Sequence, residues 1–337
     1  MDIDEPKVSV IILTYNRTQL LPRAVNSVLK QTYTDFELII VDDASVDDTE
    51  AVVKSFNDVR IIYIKHDRNK GASAARNTGI KIARGKFIAF LDDDDEWLLE
   101  KIEGQLGVFE NSKNEKLGVV DCEAFYVYEF KQKAIALKHK FSHKRRGDVF
   151  FSILKGEFST EGGSCYLIKK EVFNEVGYFD ESTLLQNGKQ DDYEMWIRIS
   201  KVYHFDYVPQ ILLKRYFYSG TKSSTVSLED KAKAIIYLHN KYEDAYKTSS
   251  RIYAGKLRYL GCQYCLLGDI KRGRQIFMKA FRVYPKNMVS IIYFFVSLFG
   301  LVFFRVIYNF KLKLKHFSNR RKFIFVKRSR LLEASKL

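Results

Sequence analysis

Only four cysteines occur in 337 residues, and they are scattered. Cys262 and Cys265 form the one Cys-x-x-Cys, with no second pair to complete a metal site, inside a helical pattern that includes Tyr259 and Leu266. They read as small core residues rather than metal or redox ligands. Zinc-finger spacing is absent, and so is any nucleic-acid module, which argues against nucleic acid as the partner of a chain with net charge +15. A membrane surface or a phosphorylated substrate is the remaining anionic partner. The acidic start Met1-Asp2-Ile3-Asp4-Glu5 offers no secretory signal, so the expectation is a chain in the reducing cytoplasm.

The first hundred residues alternate strand and helix. Val8 to Leu13, Phe36 to Val41, Arg60 to Ile64 and Lys86 to Leu91 are short apolar runs. Leu20 to Leu29, Asp47 to Phe56 and Gly71 to Ala83 carry helical periodicity between them. That order predicts an α/β fold, a mostly parallel sheet with helices on both faces. Ligands of such sheets bind beyond the carboxyl ends of the strands. Those ends carry Thr14-Tyr15-Asn16, Asp42-Asp43 and Asp92-Asp93-Asp94-Asp95.

Four adjoining carboxylates repel one another unless a cation neutralises them, and all-oxygen ligands suit Mg²⁺ or Mn²⁺. The plainer reading is an acidic loop capping the next helix. Tyr15 can stack on a planar base or pack at the sheet edge. Asp42 and Asp43 can accept an imide N–H or ribose hydroxyl, or cap a turn. Arg76, flanked by small Ala74 and Ala75, can pair with a phosphate or lie on a solvated helix face.

Taken together, Val8-Ser9-Val10-Ile11-Ile12-Leu13-Thr14-Tyr15-Asn16, Val41-Asp42-Asp43-Ala44-Ser45, Ala75-Arg76-Asn77 and Phe90-Leu91-Asp92-Asp93-Asp94-Asp95-x-Trp97 resemble the inverting glycosyltransferases of family 2 over residues 7 to about 220. The resemblance implies the GT-A fold, Rossmann-like, with a nucleotide-sugar and a divalent cation. It implies a base pocket at Thr14 and Tyr15, with Asn16 also at the nucleotide-sugar and Asp42 or Asp43 on uracil. Arg76 would lie near the base or diphosphate, Asp92 and Asp93 near the nucleotide-sugar, and Asp94 and Asp92 on Mn²⁺ or Mg²⁺. Asp191-Asp192-Tyr193-Glu194-Met195-Trp196-Ile197-Arg198 resembles the family's Glu-Asp motif, with Asp191 in the Glu place. Asp192 or Asp191 would then be the catalytic base in one in-line displacement. The Arg-x-His of many relatives is replaced by Lys214-Arg215-Tyr216, which leaves Arg215 a phosphate role and excludes a histidine ligand there. Nearby His204 reads as structural. Donor and acceptor choice is expected from the loops Glu157 to Tyr166 and Gln186 to Gln190.

The implied organisation is a catalytic domain at 1–225, divided into a nucleotide-sugar-binding half at 7–115 and an acceptor-binding half at 116–225. A helical extension at 226–286 and an apolar, basic tail at 287–337 follow. Lys222 to Ser227 reads as a polar loop. Met288 to Phe304 has no charge and, as one helix, would reach about 26 Å, slightly short of a ~30 Å hydrocarbon core. Ten Lys or Arg and no acid lie between Arg305 and Arg330, which suits the anionic inner face of a cell membrane. The segment therefore reads as an interfacial helix, a single span or a core helix. The resulting expectation is a metal-dependent transferase, peripheral or C-terminally anchored, moving a sugar from a UDP-linked donor to a glycan or lipid-linked acceptor. The alternatives are a non-catalytic scaffold of a polysaccharide-synthesis complex and, from Asp42-Asp43 alone, a phosphoacceptor receiver domain.

Overall fold

Val8, Val10, Ile11 and Ile12 are fully buried in the first strand, β1 (Val8–Thr14). A run apolar on both faces is what a central parallel strand requires, because helices cover it above and below. β2 (Phe36–Asp42), β3 (Ile61–Lys65) and β4 (Phe87–Asp92) join it in parallel, in the order β3-β2-β1-β4. The register sets Thr14 opposite Asp42 and Leu13 opposite Asp92, so three strands end at one level. The computed structural model describes residues 5–130, 133–139, 146–158, 162–218, 226–286, 288–320 and 323–326. Met1 to Asp4, Ser219-Gly220, most of the loop Lys222 to Ser227 and the basic residues Lys327 to Arg330 lie outside the described residues.

The second half is less regular. β5 (Glu96–Trp97), β6 (Leu117–Phe130), β7 (Lys133–His139), β8 (Leu167–Lys169), β9 (His204–Tyr218) and β10 (Phe323–Val326) extend the sheet to ten strands. β8 lies antiparallel to β4 and to β6, while β9 runs parallel to β6 and carries residues 214–217 over the strand ends. The mostly parallel expectation thus describes the first four strands. Beyond them the β6–β7 pairing and the return of β8 make the sheet mixed.

Two helices position chemistry. Ala72–Ile82 lies so close to β1 that a Cβ on Gly79 would sit 2.5 Å from Ile11 Cγ2. This approach brings Arg76 to the strand ends. Asp191–Ser200 is held by Trp196, buried against Tyr166 and Phe205, and by Glu194. The fully buried Glu194 accepts from Arg198 at 2.8 Å and Lys241 at 2.8 Å, and from the Tyr242 hydroxyl.

The helices Leu228–Lys241, Ser250–Leu266 and Ile270–Val283 follow. Tyr246, Ile252, Leu257 and Ala280 belong to the same hydrophobic core as Ile11 and Val41. Cys262 and Cys265 are buried free thiols, each pushed up to about 12 by burial, as suits core packing. The tail corrects the single-helix reading of Met288 to Phe304. It forms two helices, Met288–Leu298 and Gly300–Arg320, and Gly300 turns between them with φ +87°, a conformation that disfavours a Cβ. Among the described residues no helix is long and apolar enough to cross a membrane.

Candidate active site

β4 ends in a tight turn in which Asp95 N donates to Asp92 O at 3.0 Å, and this turn sorts the four carboxylates. Asp93 turns toward β1, accepting from Thr14 Oγ1 at 2.8 Å and from Arg17 Nη1 at 2.7 Å. Asp92, Asp94 and Asp95 converge, with ligand oxygens within 4.8 Å of one another. Burial pushes Asp93 up to about 6, against the pull of Arg17. Burial also raises Asp94, helped by Asp92. Asp95 is pushed up to about 7 by burial, with Arg215 opposing and Asp92 and Asp94 adding to the rise. Three converging carboxylates fit a hard divalent cation, whose charge would offset the burial that raises Asp94 and Asp95. In the protein alone, Arg17 Nη1 lies 3.0 Å from Asp94 and Arg215 Nε 3.5 Å from Asp95.

Across the cleft, Arg76 is buried and donates from Nη1 to Asp191 Oδ2 at 2.8 Å. Its guanidinium also lies 3.5 Å from Asp192 and 3.8 Å from Asp92. Burial disfavours its charge, but Asp192, Asp191 and Asp92 together raise its pKa. Its Nε has no partner among the described residues, which leaves one buried donor for a ligand. Asp191 also accepts a weak bond from Ser73 Oγ at 3.4 Å. Asp192 keeps about 30% of its side chain open to the cleft, and burial holds it up at about 6, with Arg76 opposing.

These groups line one cavity of about 810 Å³ with Thr14, Tyr15, Asp43, Arg215 and Tyr216. Of the residues singled out in the sequence, Asn16 and Asp42 do not line it. Asn16 pins the loop after β1 to the loop after β2, receiving Val46 N at 2.8 Å and donating its own N–H to Ser45 Oγ at 2.9 Å. Asp42 is fully buried under Ser45 N and the Tyr63 hydroxyl. Asp43 faces the cavity while holding His66, Lys70 N and Gly71 N at 2.7–2.8 Å. Within the Asp191 motif, Trp196 is a core residue, and Arg198 binds the carbonyls of Val176, Gly177 and Tyr178. His204 meets Asn114 away from the cleft.

The sequence reading missed Arg17 and the place of Asp95 among the converging ligands. Arg17 follows Asn16 directly, so its position was the available signal, but loops have no period that aims a side chain. Gln186, Lys189 and Tyr216 also line the cavity. A Cβ on Gly71 would overlap the Gln186 amide, so this glycine lets the loop before Asp191 close onto the strand ends.

Comparison with known proteins names the fold. The family model described as Glycosyl transferase family 2 matches residues 9–177, half of the chain. This chain belongs to that family. The glycosyltransferase is 34% identical over 222 residues to an uncharacterized glycosyltransferase of Methanocaldococcus jannaschii, covering 63% of this chain and 71% of the relative. It is 47% identical over 106 residues to WfaP of Escherichia coli, a UDP-Glc:alpha-D-GlcNAc-diphosphoundecaprenol beta-1,3-glucosyltransferase, covering 32% of this chain and 42% of WfaP. Among solved structures, S. aureus TarS 1–349 in complex with UDP-GlcNAc superposes with a TM-score of 0.59 at 19% identity, over 83% of this chain and 82% of that one. The architecture is therefore α/β of the GT-A type, and the protein is an enzyme, which sets aside the scaffold and receiver readings.

Proposed function

We propose that this glycosyltransferase moves a sugar from a UDP-linked donor to a lipid-linked glycan with inversion, Asp192 acting as base. The observation that carries the reading is that Asp192, Arg76 and the Asp92-Asp94-Asp95 cluster line a single cavity, with Arg76 3.5 Å from Asp192 and 3.8 Å from Asp92. The names of WfaP and TarS support a UDP-sugar donor, and that of WfaP supports a diphosphate-lipid acceptor. A lipid-linked acceptor places the reaction at the inner face of a membrane.

The geometry supports the following roles. Tyr15, 46% exposed at the cavity mouth, offers its ring to the uracil, while Asp43 presents carboxylate oxygen to the imide N–H. Arg76 and Arg215 both line the cavity and would bring positive charge to the diphosphate. Mn²⁺ or Mg²⁺ held by Asp92, Asp94 and Asp95 would neutralise charge on the leaving diphosphate. Asp192 takes the proton of the attacking hydroxyl, and Arg76 holds Asp191 beside it. One base on the acceptor side suffices for a single displacement.

The test is UDP release from a panel of UDP-sugars with Mn²⁺ and a diphosphoundecaprenol-linked sugar, with wild type and Asp94→Ala. Acceptor-dependent release by wild type, lost in Asp94→Ala, is expected. Absence of release with every donor overturns the reading.

A further inference from the structure

The tail hairpin is built inside out. Its buried face presents Ser290 and Ser297, both fully buried, with Tyr293, Phe304 and Tyr308 packed against Cys262 and Phe277. Its outer face carries Ile292 and Phe295, each 56% exposed, Phe299 at 72%, Val302 at 78%, and Val306 and Phe310 at 59%. The steps of three and four residues align Ile292 with Phe295 on the first helix and Val302 with Val306 and Phe310 on the second, with Phe299 exposed at the turn between them. Monomeric soluble domains rarely leave such a continuous apolar strip in water.

The inward face is fastened to the body of the enzyme. Arg274 donates to Ser297 O at 2.8 Å and Arg305 to Leu266 O at 2.9 Å, while Lys311 ties the two tail helices to each other through the Tyr293 hydroxyl at 2.8 Å. The apolar strip is thus a fixed outer surface of the folded helices. Charge identifies what covers it. Between Asp269 and Glu333 the chain has sixteen Lys or Arg and no acidic residue. Removing those sixteen charges from the net +15 leaves the rest of the chain close to neutral. An apolar strip within the stretch of sequence that holds the whole of a protein's net positive charge matches an anionic lipid surface, where apolar side chains enter the acyl boundary and cations meet headgroups. Length and charge settle the manner. Eleven residues in Met288–Leu298 rise only about 16 Å, roughly half a hydrocarbon core, and the longer Gly300–Arg320 carries Arg305, Lys311, Lys313 and Lys315 along its sequence, so neither helix is both long and apolar enough to cross.

We propose that the hairpin Met288–Leu298/Gly300–Arg320 docks the enzyme in the plane of an anionic bilayer, with Phe295, Phe299, Val302 and Val306 inserted and neither helix crossing it. This surface is separate from the catalytic cavity, so failure of the donor assay leaves it standing and the reverse holds too. The experiment is flotation of the full chain with phosphatidylcholine vesicles and with vesicles half phosphatidylglycerol. Wild type is expected to bind the anionic vesicles about tenfold more, and Phe299→Ser/Val302→Ser to lose about tenfold of that binding with its melting temperature unchanged. Phe299→Trp reports depth, with shallow lipid bromines expected to quench it more than deep ones. Equal binding to both vesicles, unchanged binding of the double variant, or stronger quenching by deep bromines overturns the proposal. A concentration-dependent dimer that the double variant dissolves overturns it too, because a second copy would then be the occupant.

Discussion

Arg76 and Asp191 stand 115 positions apart in the chain and 2.8 Å apart in the fold. That bond separates two adjacent carboxylates into different tasks. Asp191 spends an oxygen on Arg76, whereas Asp192 stands 3.5 Å from the guanidinium and opens to the cleft. Asp192→Asn is therefore expected to lower kcat by about 10²–10⁴ with the donor KM little changed. Asp191→Asn should instead raise the donor KM roughly tenfold, since Arg76 loses its charge-assisted partner. Steady-state kinetics of the two variants decide, and the reverse pattern would exchange the roles.

Acid should silence the enzyme near the pKa of its base. Burial outweighs Arg76 and holds Asp192 at about 6, so kcat should fall tenfold per pH unit below that value and level off above it. The same shift has a stability sign. The folded carboxyl is harder to ionise than the unfolded one, at 3.8, so its charge destabilises the fold above pH 6 and costs nothing below pH 4. Asp192→Asn should thus stabilise the protein by about 1–2 kcal/mol at pH 8, allowing for its partial exposure, and the gain should vanish as pH drops through that window. Thermal melts at the two ends of the window check it.

Cation binding should also follow pH. Asp95, held at about 7 by burial, must lose its proton to act as a ligand, so Mn²⁺ affinity should rise as pH passes upward through 7. Asp94→Ala should weaken that affinity at least about tenfold, and EDTA should abolish transfer. Calorimetric titration at pH 6 and pH 8 reads both.

Arg17 competes for the same carboxylates. Its guanidinium bridges Asp93 and Asp94 at 2.7 and 3.0 Å. Removing it as Arg17→Ala should tighten Mn²⁺ binding several-fold without nucleotide, on the order of 1 kcal/mol of competing attraction. Unchanged or weaker Mn²⁺ binding would argue that Arg17 only orders the loop.

Packing beneath the site can be tested through Gly79. A methyl there meets Ile11 at 2.5 Å inside a dense core, so Gly79→Ala should cost about 1–3 kcal/mol in urea unfolding and displace Arg76.

The first four strands were legible because strands buried on both faces read as unbroken apolar runs, as Val8 to Leu13 does. The carboxylates, Arg76 and Asp191-Asp192 were legible because the topology sends those strand ends and that helix start to one edge. Arg17 escaped, since it comes from a loop whose direction is set by tertiary hydrogen bonds rather than by any period. Trp196 and Arg198 lie in the same motif as Asp192, yet pattern alone could not tell a helix's packing from its chemistry. The tail misled for a simple reason. One glycine, Gly300, divides seventeen uncharged residues that hydropathy reads as continuous.

The buried Glu194 also bears on how the chain can be divided. Two of its three partners, Lys241 and Tyr242, belong to the helices after residue 226. A fragment stopped at 225 would leave Glu194 with Arg198 as its one remaining partner and strip the cover from the helix that carries Asp191 and Asp192. Expression trials that trim the C-terminus should accordingly keep everything through Val283, so that shedding the greasy hairpin does not also dismantle the scaffold behind the base.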